Sequence, residues 1–153
     1  VYHAGIVKFN VVQIDGPGGF GYGIAGNESD ATGIHPANRR RHYLDLFGDD
    51  AIYQGFTSTC EGMYDFGAYF SGRQNGSGPA RVEIVAGTNP SAVAIASAAT
   101  IPGSFAGPSQ TGPWRLVSGQ FSAPHGAPYL IRIRLSDNMS VDEVFVRPQA
   151  NCR

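Results

Sequence analysis

The chain has 153 residues, and its 11 Lys+Arg nearly balance its 12 Asp+Glu, for a net charge of −1 at pH 7. A chain of about 150 residues hides about 70% of its unfolded surface, so one domain over residues 1–153 with a real core is expected. A protein held to phosphates carries a clear positive excess, which argues against nucleic acid as the partner. No stretch reaches the ~18 apolar residues of a spanning helix, so no membrane insertion is expected, and the 21 Gly and 10 Pro follow no Gly-X-Y period.

In chain order, the periodicity is two almost throughout. "AGIVKFNVVQ" (4–13) opens as a strand, and the Gly-rich "DGPGGFGYGIAGNESDATGIHPAN" (15–38) follows as a long loop, a length that is usually functional or mobile in a compact domain. Gly16 to Gly21 satisfies G-x-G-x-x-G, but "YGIAGNESDATG" has no helical face to hold a pyrophosphate on its N-terminus, so the dinucleotide reading fails. Arg39, Arg40, Arg41 and His42 then lead into "YLDLF" (43–47), as the polar entry to a hairpin at one end of the molecule.

"AIYQGFT" (51–57), "MYDFGAYF" (63–70), "ARVEIVAG" (80–87), "AVAIASAA" (92–99), "WRLVSGQFSA" (114–123), "YLIRIRLS" (129–136) and "VDEVFVR" (141–147) continue the series, for about nine strands separated by Gly, Pro, Asn or Asp. The spacing predicts an all-β, two-layer antiparallel β-sandwich of jelly-roll type, because a sheet with one apolar face must cover it with another.

The chemistry-bearing residues are sparse. His3, His35, His42 and His125 are scattered, with no H-x-x-x-H pair, and no Ser sits in a G-x-S-x-G elbow. The acid pairs Asp49/Asp50 and Asp142/Glu143 are adjacent, and neighbours in a strand point to opposite faces, so a glycan hydrolase needs a pair built across strands. Ten of the eleven basic residues are Arg, whose planar fork suits carboxylates and vicinal oxygens. Two cysteines are too few for a disulfide scaffold or a zinc site. Cys60 and Cys152 are expected to form one bridge that ties the C-terminus to an early turn. That bridge, with the sequons at Asn27, Asn75 and Asn138, fits a secreted or cell-surface protein, and the chain reads as a mature or excised domain.

Several pieces, in order, resemble the galactose-binding-like jelly roll of carbohydrate-binding modules and of plant and bacterial cell-wall-associated proteins. They are Ile52-Tyr53-Gln54-Gly55-Phe56, Gly62-Met63-Tyr64, Trp114 with Phe121 and Ala123, and Val141-Asp142-Glu143-Val144, and they cover residues 42–148. The resemblance implies a non-catalytic, lectin-like domain that binds a polysaccharide or glycan and requires no cofactor. A structural or adhesive surface domain and a hydrolase remain as alternatives. Such modules open with an Asn-Gly-x-Phe-Glu segment whose acid helps to hold a structural Ca²⁺. "IVKFNVVQ" lacks it, while Asp142 matches the terminal Asp, so Asp142 is the one candidate metal ligand.

Sugar sites pair an aromatic surface with planar hydrogen-bonding groups. Strand phase turns Tyr53, Asp65, Tyr69, Arg132 and Arg134 away from the apolar side, which makes them the candidate ligand-binding face, suited to an acidic glycan if the arginines take part. The alternative is a loop-end site of Asp30, His35, Arg39, Arg40 and Arg41.

Overall fold

The computed structural model describes residues 44–46, 51–72, 79–100, 114–135 and 139–153. These form eight strands: β1 (Leu44–Leu46), β2 (Ala51–Thr57), β3 (Gly62–Gly72), β4 (Ala80–Ala86), β5 (Ala96–Ala99), β6 (Arg115–Ala123), β7 (Pro128–Leu135) and β8 (Met139–Pro148). They make two four-stranded antiparallel sheets, ordered β1-β8-β3-β6 and β2-β7-β4-β5. The described residues contain strands and no helix, as the period-two pattern requires. The expected strand 4–13, the loop 15–38 and the arginine run 39–41 lie outside the described residues.

Alternation decides what the sheets bury. In β7, Tyr129, Ile131 and Ile133 enter the core, and in β4, Ala80, Val82 and Ile84 do so. The facing sheet answers with Tyr64, Phe66, Ala68 and Phe70 of β3 and with Val117, Phe121 and Ala123 of β6. Phe121 stands between the layers, stacked on Tyr64 at 5.3 Å and edge-on to Tyr129 at 5.4 Å and Phe56 at 6.2 Å. Each such aromatic contact adds about 0.5–1.5 kcal/mol to the burial of the rings. Gly119 leaves room for this layer, since a Cβ there would meet Phe66 Cζ at 2.8 Å.

One irregularity matters for the outer surface. Opposite β3, the register of β8 slips between the pairs Gly67↔Phe145 and Tyr69↔Asp142, so β8 carries one extra residue there. Such a bulge reverses the phase of the strand beyond it. Val146 and Val141 both reach the core although they are five positions apart, an odd offset, while Phe145 turns to the outer face.

The C-terminus is stitched to the turn before β3. Cys60 and Cys152 are bonded, with Cα atoms 5.6 Å apart. Glu61 N donates to Arg153 O at 2.5 Å, and Arg153 N donates back to Glu61 O at 2.8 Å. The buried Tyr64 hydroxyl accepts from the Thr59 and Cys60 amides and donates to Cys60 O, each at 3.0 Å. The turn residues therefore have their polar groups satisfied around the bridge.

The segment 92–99 departs from its expected strand: only Ala96–Ala99 pairs with β4. Asn89 turns the chain, accepting from Ser91 N through Oδ1 at 3.0 Å and from Ala92 N through its carbonyl at 3.1 Å. Residues 88–95 thereby fold back across the outer side of the second sheet.

Candidate functional site

The two outer faces of the sandwich are chemically different, and the five residues of the expected binding face divide between them. Asp65 and Tyr69 lie on β3, in one sheet, whereas Tyr53, Arg132 and Arg134 lie on β2 and β7, in the other. Packed sheets are about 10 Å apart and turn their outer faces in opposite directions. A single site cannot contain all five.

On the first sheet, cross-strand registers set the outward residues in rows. Gln120, Asp65 and Arg147 are side by side on β6, β3 and β8, the next row is Ser118, Gly67 and Phe145, and the third holds Leu116 and Tyr69, with position 142 as the register partner of Tyr69 on β8. With ~4.8 Å between strands and ~3.4 Å per residue, these rows cover an area about 10 Å wide and 14 Å long. Asp65 stands on the middle strand in the first row. Its Oδ1 accepts from Gln120 Nε2 at 3.1 Å and from Gln149 Nε2 at 3.0 Å, so two amides fix the carboxylate while Oδ2 takes no hydrogen bond from the described residues. Gln149 is held beside it by its own amide, which donates to Met63 O at 2.9 Å.

Arg147 is exposed and lies over the Phe145 ring, its Cζ 4.4 Å from the centroid. Among the described residues it has no ion-pair partner. Phe145 itself crosses Gly67, where a Cβ would come within 2.8 Å of the ring and 2.5 Å of Val117 O. The glycine is required for the ring to lie flat on the sheet. Phe145 is thereby buried beneath the guanidinium, and the arrangement offers a carboxylate, two primary amides, a guanidinium and the half-buried Tyr69 ring, the groups that read paired hydroxyls and the apolar face of a sugar ring.

Sequence reasoning found Asp65 and Tyr69 here and missed Gln120, Phe145, Arg147 and Gln149. The phase of "WRLVSGQFSA" is a signal that places Gln120 on the side opposite Phe121. No local signal places Phe145, because the bulge that turns it outward depends on pairing with β3.

On the second sheet, phase is as expected and exposure is not. Arg132 does point away from the core, but it is 3% exposed. The expectation that it is open to a ligand is overturned by the strand connection that covers it. Arg132 Nη2 donates to Glu83 Oε2 at 2.9 Å, and Nη1 donates to Pro90 O at 2.5 Å and Ala92 O at 2.9 Å. A guanidinium shielded from water needs such partners, and its two bonds to Pro90 O and Ala92 O strap residues 88–95 onto the sheet while the third ties it to Glu83 of β4. Arg134 stays open, with 53% of its side chain exposed and Nε 3.9 Å from Glu83 Oε1. Tyr53, the register partner of Arg132, is half-buried.

The residues of the alternative loop-end site, Asp30, His35, Arg39, Arg40 and Arg41, lie outside the described residues. Asp142 is in β8 opposite Tyr69, and its side chain is not among those described. Among the described residues, no three His, Cys, Asp or Glu side chains gather as a metal site, and no helix is long and apolar enough to cross a membrane.

No protein-family model matches the sequence, and no curated protein matches it. Solved structures do. TmCBM61 in complex with β-1,4-galactotriose is 10% identical over 74% of this chain and 74% of its own, with a TM-score of 0.51. The carbohydrate-binding module CBM6cm-2 of Cellvibrio mixtus lichenase 5A, in complex with cellotriose, is 14% identical over 91% of this chain and 92% of its own, with a TM-score of 0.53. CsCBM6-3 of Clostridium stercorarium, in complex with cellobiose, is 13% identical over 90% and 86%, with a TM-score of 0.52. The chain has the jelly-roll fold of carbohydrate-binding modules. At this identity the likeness extends to the fold and leaves the site to the residues of this chain.

Proposed function

We propose that this is a non-catalytic carbohydrate-binding domain of a secreted or cell-surface protein, and that it holds a polysaccharide on the outer face of β8, β3 and β6. One observation carries the reading: Asp65, fixed by Gln120 and Gln149 through a single oxygen, shares its face with an exposed guanidinium and the half-buried Tyr69 ring. Its second oxygen takes no hydrogen bond from the described residues, and the two amides hold the carboxylate in place for a hydroxyl donor. The fold adds support, since similar structures carry oligosaccharides. Among the described side chains Asp65 has amide neighbours, and its register partners are Gln120 and Arg147 rather than a second acid, which supports binding without turnover.

The test is calorimetric titration of the intact domain with soluble neutral polysaccharides, β-1,4-galactan, mixed-linkage glucan and xylan, with reducing ends measured in parallel. Binding to at least one without release of reducing ends is expected. Tyr69→Ala should cost about 1–3 kcal/mol, the scale of one large apolar contact, and Asp65→Ala about 1.5–3 kcal/mol, the scale of a charged hydrogen bond. No binding across the panel, or full affinity in both variants, refutes the proposal.

A further inference from the structure

The opposite outer face carries a feature that neutral sugar binding does not use. Arg81 of β4 and Arg134 of β7 are direct cross-strand partners, and both are exposed. Like charges in that position oppose sheet formation, and the nearest acid gives little relief. Glu83 already bonds the buried Arg132 through Oε2 at 2.9 Å, and its Oε1 lies 3.9 Å from Arg134 Nε. Among the described residues Arg81 has no acidic partner, so three arginines and one glutamate leave a surplus of two positive charges on one small area.

The surroundings keep those charges open. The row that holds the pair runs Ala51, Arg134, Arg81 and Ala99 across β2, β7, β4 and β5. With alanine on both sides, no neighbouring side chain in the row is long enough to cover the two forks. The next row is Tyr53, Arg132, Glu83 and Ser97. There the Glu83 side chain, 9% exposed, has no hydrogen bond to Oε1, which lies 3.9 Å from Arg134 Nε, while 53% of the Arg134 side chain stays exposed. Tyr53 stands one row away, a half-buried ring beside the paired forks.

We infer that this face is a second subsite, in which Arg81 and Arg134 together grip the carboxylate of a uronic-acid residue while Tyr53 packs against its ring. Two planar forks about one strand spacing apart match a carboxylate and its neighbouring ring oxygens better than they match a single hydroxyl. The inference rests on the reading of the domain as a glycan binder, and it adds an acidic polymer and a separate surface to that reading.

The experiment is titration of the intact domain with de-esterified polygalacturonate at low and at physiological salt, with inorganic polyphosphate and dextran sulfate as comparison polyanions. Polygalacturonate should bind, more weakly as salt rises. Arg81→Gln with Arg134→Gln should reduce affinity about tenfold or more and flatten the salt dependence. Arg81→Lys, which keeps the charge and removes the fork, should reduce affinity and keep the salt dependence. Binding of neutral polysaccharide should be unchanged in these variants and weakened in Asp65→Ala, so failure of one face is distinguishable from failure of the other. The inference is overturned if polygalacturonate does not bind at low salt, if the arginine variants bind it as the wild type does, or if polyphosphate or dextran sulfate binds as tightly as polygalacturonate.

Discussion

Removing the buried ion pair one partner at a time should cost far more than removing both. The Arg132 side chain is 4% exposed and that of Glu83 is 9% exposed, with 2.9 Å between them. At an effective dielectric of about 20, unit charges about 4 Å apart attract by about 4 kcal/mol, and desolvation of the two groups offsets much of this while both are present. Arg132→Met leaves the Glu83 carboxylate, among the described residues, with Arg134 alone at 3.9 Å, and leaves the Pro90 and Ala92 carbonyls without their donor. Glu83→Met leaves a shielded guanidinium bonded to two carbonyls.

Each single change should cost about 3–5 kcal/mol, and the Glu83→Met, Arg132→Met double variant well under the sum of the two. With a urea m-value of about 2 kcal/mol/M, a loss of about 4 kcal/mol lowers the midpoint by about 2 M. Urea unfolding of the four proteins closes the cycle. Hydrogen exchange at the Ile95 amide, which donates to Ile84 O at 2.8 Å, reports whether the covering connection has opened. An Arg132→Met cost below about 1 kcal/mol, or single costs that add to within about 0.5 kcal/mol, refutes the reasoning.

Three further outcomes are expected. Replacing Cys60 and Cys152 by Ser releases a bridge across 92 residues of sequence, and on the chain-entropy account it should cost about 4–5 kcal/mol, read as a lower denaturation midpoint that reductant no longer changes. Gly67→Ala should destabilise by about 1–3 kcal/mol and displace the Phe145 ring, because the new methyl meets the Val117 carbonyl oxygen and the ring together; unchanged stability and unchanged aromatic dichroism would sink that account. Burial, and then the neighbouring Tyr64, raise the Tyr129 pKa above its ordinary value. The unfolded chain therefore loses this proton first as pH rises past about 10, so stability is fully present below that point and falls above it. Tyr129→Phe should remove that share of the alkaline loss, as followed by thermal unfolding against pH.

The alternation of "YLIRIRLS" and "ARVEIVAG" was enough to determine that Tyr129, Ile131, Ile133, Val82 and Ile84 face a core, because side-chain direction along a strand depends only on the neighbouring peptide units. The sandwich class followed, since many one-sided strands must cover one another. The cysteine pair was legible for the same kind of reason: two thiols have one intramolecular choice. Local pattern does not assign a strand to a sheet. Asp65 and Tyr53 share an outward phase yet look in opposite directions, because β3 pairs with β6 and β8 whereas β2 pairs with β7. The burial of Arg132 depends on the Asn89 turn laying residues 88–95 over a strand about forty residues later in the chain, and the outward Phe145 depends on a register slip against β3. These are contacts between distant segments, decided when the sheets pair and pack; only then do Asp65, Gln120, Gln149 and Arg147 become neighbours on one face.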